Sequence, residues 1–441
     1  MDAILDFGPV EDQMQNIIKV IGVGGGGCNA VSRMYSDGIQ GVSFAVCNTD
    51  SASLKHSSVP VKIQLGSGLG AGAKPEVGRS EAESSIDSIE RLLDDQTKMV
   101  FVTATMGGGT GTGAAPVIAR VAKNKGLLTV GVVTIPFYFE HHRKIVKALK
   151  GVDEMRKHVD AMLIVNNERL CDVYSDTTMS LKDALAEADN VLKNAVKGIS
   201  ELITISSAGN INLDFRDIET TMRNGGGAIM AIGRASGEQR VERAILDALD
   251  SPLVYGSDIN RAKRILFNIY ASEKAPIRVL EMQEISEFFD QLDPDIDVIW
   301  GTSTDNSLDD DAKVIILAAD MGDDLKPVEA ENEDSDDERY ERLIAKLYPP
   351  LMAKPQEETE PPFVVEAAPI PEPAEEQTEE IVGATAAEQS EEPDVEQTYE
   401  SEHEEKDDSQ KAEPRPTTTL GRWRSWLNRK LGDMMNDEDD Q

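Results

Sequence analysis

The sequence predicts an α/β protein: a parallel-sheet domain, a long central helix, a smaller α+β domain and a disordered tail. Three observations carry this. Short apolar runs alternate with helical stretches across residues 16–179, as in a parallel sheet with right-handed crossovers. Apolar residues then recur at 4-3-4-3-4-3 spacing between 180 and 203. Beyond 322 the chain turns acidic, proline-rich and poor in aromatics, the composition of a self-repelling linker. The expected organisation is an arm (1–15), the sheet domain (16–179), the helix (180–203), the α+β domain (204–322), the acidic linker (323–414) and a basic terminal peptide (415–441).

Composition narrows the function classes. The 441 residues are 40% hydrophobic, enough for more than one core. The net charge is −37, and most of it falls between 323 and 414. A chain this acidic repels the phosphates of nucleic acid. The three cysteines, Cys28, Cys47 and Cys171, show no paired spacing, which argues against a disulfide framework and for a reducing compartment. The acidic start, Met1 to Asp6, is unlike a basic signal peptide, and no apolar run approaches the ~18 residues of a membrane span. A cytoplasmic protein is expected.

The first strand is read at Asn16 to Ile21, an apolar run. It opens into Gly22-Val23-Gly24-Gly25-Gly26-Gly27-Cys28-Asn29-Ala30 and a helix. The next strand, Val42 to Cys47, ends near Asp50. Gly22, Gly24 and Gly27 with Asp50 satisfy a dinucleotide-binding spacing, so a nicotinamide-dependent oxidoreductase is one reading of this half. Val61 to Leu65 leads into a second glycine-rich loop, Gly66 to Gly72, and a polar helix from about Arg79 to Leu93. Met99 to Ala104 is a strand that feeds Gly107-Gly108-Gly109-Thr110-Gly111-Thr112-Gly113 and another helix. Five glycines in seven residues are a heavy entropic load for a mere connector. They suit close backbone approach to a polyphosphate at a helix N-terminus. The dinucleotide scheme has no place for this loop. Leu127 to Thr134 and Asp160 to Val165 complete the strands, with a helix from Pro136-Phe137-Tyr138-Phe139-Glu140 to about His158.

The central stripe is Leu181, Leu185, Ala188, Leu192, Ala195, Ile199 and Leu202. At ~1.5 Å per residue this helix is long enough to link two domains. The second domain is read as strands 228–234, 262–270, 297–302 and 313–319, with helices near 239–249 and 281–291. Within Asn210-Ile211-Asn212-Leu213-Asp214-Phe215-Arg216-Asp217, either Asn212 or Asp214 suits the N-cap of a helix from about Arg216 to Arg223. In the linker, Tyr340, Leu343, Ile344 and Leu347 allow a short helix. The tail turns basic, with Arg415, Arg422, Arg424, Arg429 and Lys430. Leu420, Trp423, Leu427, Leu431 and Met434 share a face, beside Trp426. Such a helix suits a protein groove or an anionic membrane surface.

These motifs together resemble the tubulin/FtsZ family of bacterial cell-division GTPases over about 16–322. Gly107 to Gly113 stands as the family signature. Gly22 to Ala30 is similar to its first phosphate loop, with Cys28 at a frequent glycine position. Gly70 to Gly78 is similar to its γ-phosphate loop, with Lys74 where Asn is usual. The resemblance implies a GTP-binding sheet domain and GTP or GDP as ligand. Gly25, Gly26, Gly27, Cys28 and Asn29, with Gly108, Gly109, Thr110 and Gly111, would hold phosphates, and Ala71, Gly72 and Ala73 would line the γ-phosphate. Glu140 would contact the ribose. The family's Arg four residues later is Lys144 here, with Arg143 just before it, and the resemblance does not choose between them. Asn167 and Asp189 would read guanine. Leu185 stands where a stacking Phe is common.

The resemblance also assigns Asn212, Asp214 and Asp217 to a synergy loop inserted into the nucleotide pocket of the next subunit. There the acids would polarise the attacking water. The implied function is a GTPase that forms head-to-tail filaments and scaffolds the midcell division ring, itself being the first partner. Mg2+ would be held mainly through nucleotide and water, with no protein metal site; His141 and His142, adjacent in sequence, do not share a helix face. The tail departs from the family's usual terminal peptide. Trp423, Trp426 and Leu427 are expected to dock membrane-tethering and regulatory division proteins, with weak direct membrane contact as a further expectation. No nucleic-acid partner is expected. A structural scaffold that binds nucleotide without hydrolysis remains an alternative.

Overall fold

The computed structural model describes residues 17–173, 180–205, 211–251, 254, 258–322 and 336–348. The N-terminal arm, the rest of the acidic linker and the terminal peptide with Trp423, Trp426 and Leu427 lie outside the described residues, as does the side chain of Leu185.

The first half alternates strand and helix. β1 (Ile18–Val23) runs into α1 (Gly24–Ser36), and β2 (Val42–Asn48) into α2 (Ser51–His56). β3 (Val61–Gln64) precedes α3 (Pro75–Glu83) and α4 (Ile86–Leu92). β4 (Met99–Thr105) leads to α5 (Thr110–Asn124), β5 (Leu128–Ile135) to α6 (His142–Arg156), and β6 (Ala161–Asn166) to α7 (Asn167–Val173). These strands are the apolar runs read from the sequence. All their pairings are parallel. Except for β3, they are mostly buried, as two-sided helical cover requires.

One expected helix is two. The stretch read as continuous from Arg79 to Leu93 breaks at Ser84 and Ser85. Both hydroxyls donate to the Glu81 carbonyl, at 2.9 and 2.8 Å, which competes with the helical ladder. The first of the two helices also begins earlier, at Pro75, because proline is well placed at the first helical position.

α8 (Leu181–Thr204) is the long helix the stripe predicts. Ser180 caps it, accepting from the Asp183 N–H at 3.2 Å. α9 (Phe215–Met222), β7 (Gly226–Ala235), α10 (Arg240–Leu249), β8 (Arg264–Ala271), α11 (Glu281–Phe289), β9 (Asp297–Thr304), β10 (Ala312–Ala319) and α12 (Asp336–Leu347) follow. The second half does not form a sheet of its own. β7 pairs in parallel with β6 through Ala161–Gly226, Met162–Gly227 and Leu163–Ala228. The result is one ten-stranded sheet in the order β3-β2-β1-β4-β5-β6-β7-β10-β8-β9, with β10 antiparallel to both its neighbours.

The α8 stripe explains why the halves are joined. Ala188, Leu192, Ala195, Ile199 and Leu202 lie in one buried cluster with Val132 and Leu163 from the first half and Met230, Leu266 and Leu317 from the second. α10 and α11 cover the other face of the second half, around Phe267 and Phe288. The short helix read from Tyr340 and its neighbours also forms. It is packed rather than free, because Tyr340, Leu343 and Ile344 are buried with Ile145, Leu149 and Val152 of α6.

Candidate functional site

Parallel order brings the segments after β1, β3 and β4 to one carboxyl edge, and there the glycine loops interlock. A Cβ on Gly24, whose φ is +74°, would sit 2.7 Å from the Gly111 nitrogen. A Cβ on Gly109 would sit 2.8 Å from the Ala71 Cβ and 3.0 Å from the Lys74 nitrogen. Only glycine allows these approaches. Thr49 and Thr110 share a hydrogen bond at 2.6 Å, and Thr112 accepts from the Gly107 N–H at 2.8 Å. By contrast, a Cβ on Gly25 or Gly108 would meet nothing within 4 Å, so both face open space.

The loops could hold an anion. α1 starts at Gly24 and α5 at Thr110. Neither has a side chain capping its first turn or an acid within it. Their leading N–H groups therefore point outward unsatisfied by a cap, with the helix dipole behind them. The third loop turns through left-handed backbone at Gly70, Gly72 and Ala73, and Lys147 donates to the Ala73 carbonyl at 3.0 Å. Cys28 contributes no side chain to the open surface. Its Sγ lies 3.6 Å from the carbonyl oxygens of Gly22 and Cys47, and burial pushes its thiol up to about 12. Asn29 is exposed beside it.

The strands that follow supply polar groups to the same edge. Phe137 donates its N–H to Glu140 Oε1 at 3.0 Å, and Lys144 ion-pairs with Glu140, whereas Arg143 is exposed. Asn167, just past β6, is buried with its Oδ1 lacking any hydrogen-bond partner. An orphaned buried acceptor is costly, and it fits a polar ligand. Asp189 on α8 lies 3.4 Å from Arg33 Nε of α1. Burial pushes its carboxyl up to about 6, with the Arg33 charge pulling the other way. The Arg33 partner was not legible in the sequence, because nothing in local spacing pairs positions so far apart.

The remaining acids stand elsewhere. Asp214 caps α9, accepting from the N–H groups of Arg216 at 2.7 Å and Asp217 at 3.0 Å. Asp217 accepts in return from the Asp214 N–H at 2.8 Å. Of the two caps the sequence allowed, the structure uses Asp214. The segment carrying Asn212, Asp214 and Asp217 starts against β9, where the Thr302 N–H donates to the Ile211 carbonyl at 2.9 Å, and the elements that flank it meet the amino edge of the parallel sheet. α8 ends there, with Thr204 against Gly41, just before β2. β7 begins there, where Gly226 donates to the Asp160 carbonyl at 3.0 Å and Arg223 reaches Asp160 at 3.4 Å. The glycine loops are at the carboxyl edge, and a strand length, roughly 20 Å at ~3.3 Å per residue, separates the two edges. Asp50 is also used structurally: it caps α2 by accepting from the Ala52 N–H at 2.9 Å.

Among the described residues, no group of three or more His, Cys, Asp and Glu is placed to hold a metal. His141 caps α6, and His142 lies 2.8 Å from Glu341. No described helix is long and apolar enough to cross a membrane.

A glycine cradle at the edge of such a sheet, joined by a long helix to a mixed second half, defines a tubulin-like GTPase. Residues 17–175 match the GTPase domain of the Tubulin/FtsZ family, and residues 226–322 match the C-terminal domain of the FtsZ family. The chain is 47% identical over 370 residues to the cell division protein FtsZ of Porphyromonas gingivalis, covering 79% of this chain and 80% of that one. It is 44% identical over 308 residues to the cell division protein FtsZ of Aquifex aeolicus, covering 69% and 83%. A solved FtsZ dimer from M. jannaschii superposes with a TM-score of 0.63 at 37% identity, covering 70% of this chain and 89% of that one. CetZ1 from Haloferax volcanii, at 19% identity and a TM-score of 0.59, shares the fold. The chain belongs to the FtsZ family: it is a cell-division GTPase that binds guanine nucleotide. The oxidoreductase reading of Gly22, Gly24, Gly27 and Asp50 falls with that assignment.

Proposed function

We propose that this GTPase assembles head to tail, that Asn212, Asp214 and Asp217 of one subunit complete the nucleotide site of the next, and that the filament scaffolds the division ring in the cytoplasm at midcell. One observation carries the reading. The elements that flank the acids meet the amino edge of the sheet whose carboxyl edge holds the glycine cradle, an arrangement in which a second copy stacked edge to edge can bring acids to cradle. Apolar side chains support stacking. Leu69 (90% exposed), Tyr138 (60%) and Phe139 (61%) rim the cradle, and Ile211 (51%) precedes the acids.

In this reading, the N–H groups of Gly25, Gly26, Gly27, Cys28, Asn29, Gly108, Gly109, Thr110 and Gly111 hold the phosphates. Ala71, Gly72 and Ala73 bear on the γ-phosphate, so that loop registers GTP against GDP. Glu140 takes the ribose. Lys144, already paired with Glu140, is preferred over Arg143 as the cation at that rim. Asn167 and Asp189 read guanine. Its N1–H and 2-amino group offer a donor face that a carboxylate accepts and adenine lacks. Mg2+, carried in on phosphate oxygens and water, would neutralise charge between the β- and γ-phosphates. The incoming acids orient and polarise the attacking water. The terminal peptide with Trp423, Trp426 and Leu427 is proposed to dock membrane-tethering and regulatory division proteins, with a weaker direct hold on anionic lipid.

GTP turnover per subunit, measured over a range of protein concentration, tests the reading. It should rise steeply above a threshold concentration and approach zero below it. Turnover per subunit that stays constant on dilution overturns assembly in trans.

A further inference from the structure

α12 lies outside both matched family domains, which end at residues 175 and 322, and the proposed site does not use it. It is nonetheless firmly seated. Tyr340, Leu343, Ile344 and Tyr348 form one stripe at helical spacing and are buried against α6 and the ends of β5 and β6. At its start, Arg339 and Tyr340 both donate to Asp153 Oδ2, at 2.7 and 3.0 Å. At its end, two contacts reach the nucleotide rim. The Tyr348 hydroxyl donates to the Pro136 carbonyl at 2.6 Å, and Asn166 Nδ2 donates to the Leu347 carbonyl at 3.0 Å.

These contacts close a circuit. Asn166 Oδ1 accepts from the Glu168 N–H at 3.0 Å, and Glu168 Oε2 accepts from the Tyr138 N–H at 2.8 Å. Tyr138 adjoins Pro136 through Phe137, and the Tyr138 and Tyr348 rings lie 5.7 Å apart. The circuit therefore runs from α12 through the corner that holds Asn167, across to the connection that holds Glu140, and back to Tyr348. A residue one peptide bond from the orphaned Asn167 carboxamide thus satisfies one of the carbonyls that end α12. Burial raises the Tyr348 phenol far above its ordinary range, so it stays a neutral donor.

We propose that α12 is a strap that positions the ribose and base end of the nucleotide site, with Tyr348 as its positioning residue. The inference rests on the assignment of Glu140 and Asn167 proposed above. Without the strap the two corners lose their mutual tie, and nucleotide must order them on binding. Affinity then falls while the chemistry at the phosphates is untouched.

The test uses the full chain, stripped of nucleotide, with GDP affinity measured by titration calorimetry at 25 °C. Tyr348→Phe removes one hydrogen bond and keeps the ring, so GDP should bind roughly threefold to tenfold more weakly. Tyr348→Ala should bind more weakly still, and amides at 137–141 and 167–170 should exchange hydrogen faster than in the wild type. Arg339→Ala loosens the far end of the helix. It should lower the melting temperature and leave GDP affinity unchanged, as a merely structural role would. Wild-type GDP affinity in both Tyr348 variants overturns the strap. If Tyr348→Ala does not fold, Tyr348→Phe decides alone. A wild-type chain that binds no GDP instead overturns the site assignment, and the strap with it.

Discussion

Asp189 is a carboxyl placed where burial disfavours its charge. Its folded pKa lies at about 6, above the ordinary 3.8, and burial is the main cause. Folding therefore favours the protonated form. The stability this gives is full below pH 3.8 and is lost as pH rises through about 6. Above that, the ionised group costs up to about 3 kcal/mol. Asp189→Asn should thus be more stable than the wild type at pH 7.5 and equal to it near pH 4, as urea unfolding at both values would show. If Asp189 reads guanine, the same proton matters for binding. GDP affinity in the wild type should fall as pH drops through about 6, and in the Asn variant it should be low at every pH. The residue itself was singled out by motif resemblance. Its state was not, because the charge balance depends on Arg33 and on burial between two helices that only tertiary structure brings together. Cys28 makes the same point. Its place in the glycine loop reads from the sequence, yet its side chain turns inward to the Cys47 carbonyl.

At the scale of elements, strands were the most legible part, because parallel strands buried on both faces read as plain apolar runs between glycine turns. Helix limits were less so, since serines at 84 and 85 are compatible with a helix until their hydroxyls find the Glu81 carbonyl. α9 poses a sharper question, because its acids serve as cap and as proposed catalysts at once. The two roles separate by substitution. Asp214→Asn keeps a good capping acceptor, so stability should change by less than about 0.5 kcal/mol. It removes the negative charge, so GTP turnover in the assembled state should fall by about a hundredfold or more. Asp214→Ala loses both and should cost about 1 kcal/mol of stability as well. An Asn variant with wild-type turnover would reduce Asp214 to a helix cap.

For the whole molecule, the sequence expects two domains linked by a helix, and the structure shows that both halves bury that helix and share a sheet. A stripe in sequence shows that one face is buried but not that both halves bury it, and the three-pair join of β6 to β7 leaves no local signal. The fusion is also electrostatic. Lys313 of β10 reaches Glu201 of α8 at 3.3 Å and Asp305 at 3.1 Å, and its ammonium lies 4.3 Å from the Tyr270 ring. All three charged side chains are largely shielded from water, so the lysine neutralises two acids where the helix meets the second half. Lys313→Met fills similar volume but takes the nearer cation from Glu201, which keeps only Lys197 at 3.7 Å, and leaves Asp305 to Ser307, a change expected to cost about 1.5–3 kcal/mol. Because the hydrophobic contacts of α8 with the first half survive, the loss should fall on the junction. The wild type is expected to melt in one calorimetric transition. The variant should melt at lower temperature and in a broadened or divided transition, with the second half released first. Adding Glu201→Gln should recover part of the loss, since one shielded charge that lost its nearer cation is then gone. A Lys313→Met chain that melts as the wild type does would mean that the shared apolar cluster alone holds the halves together.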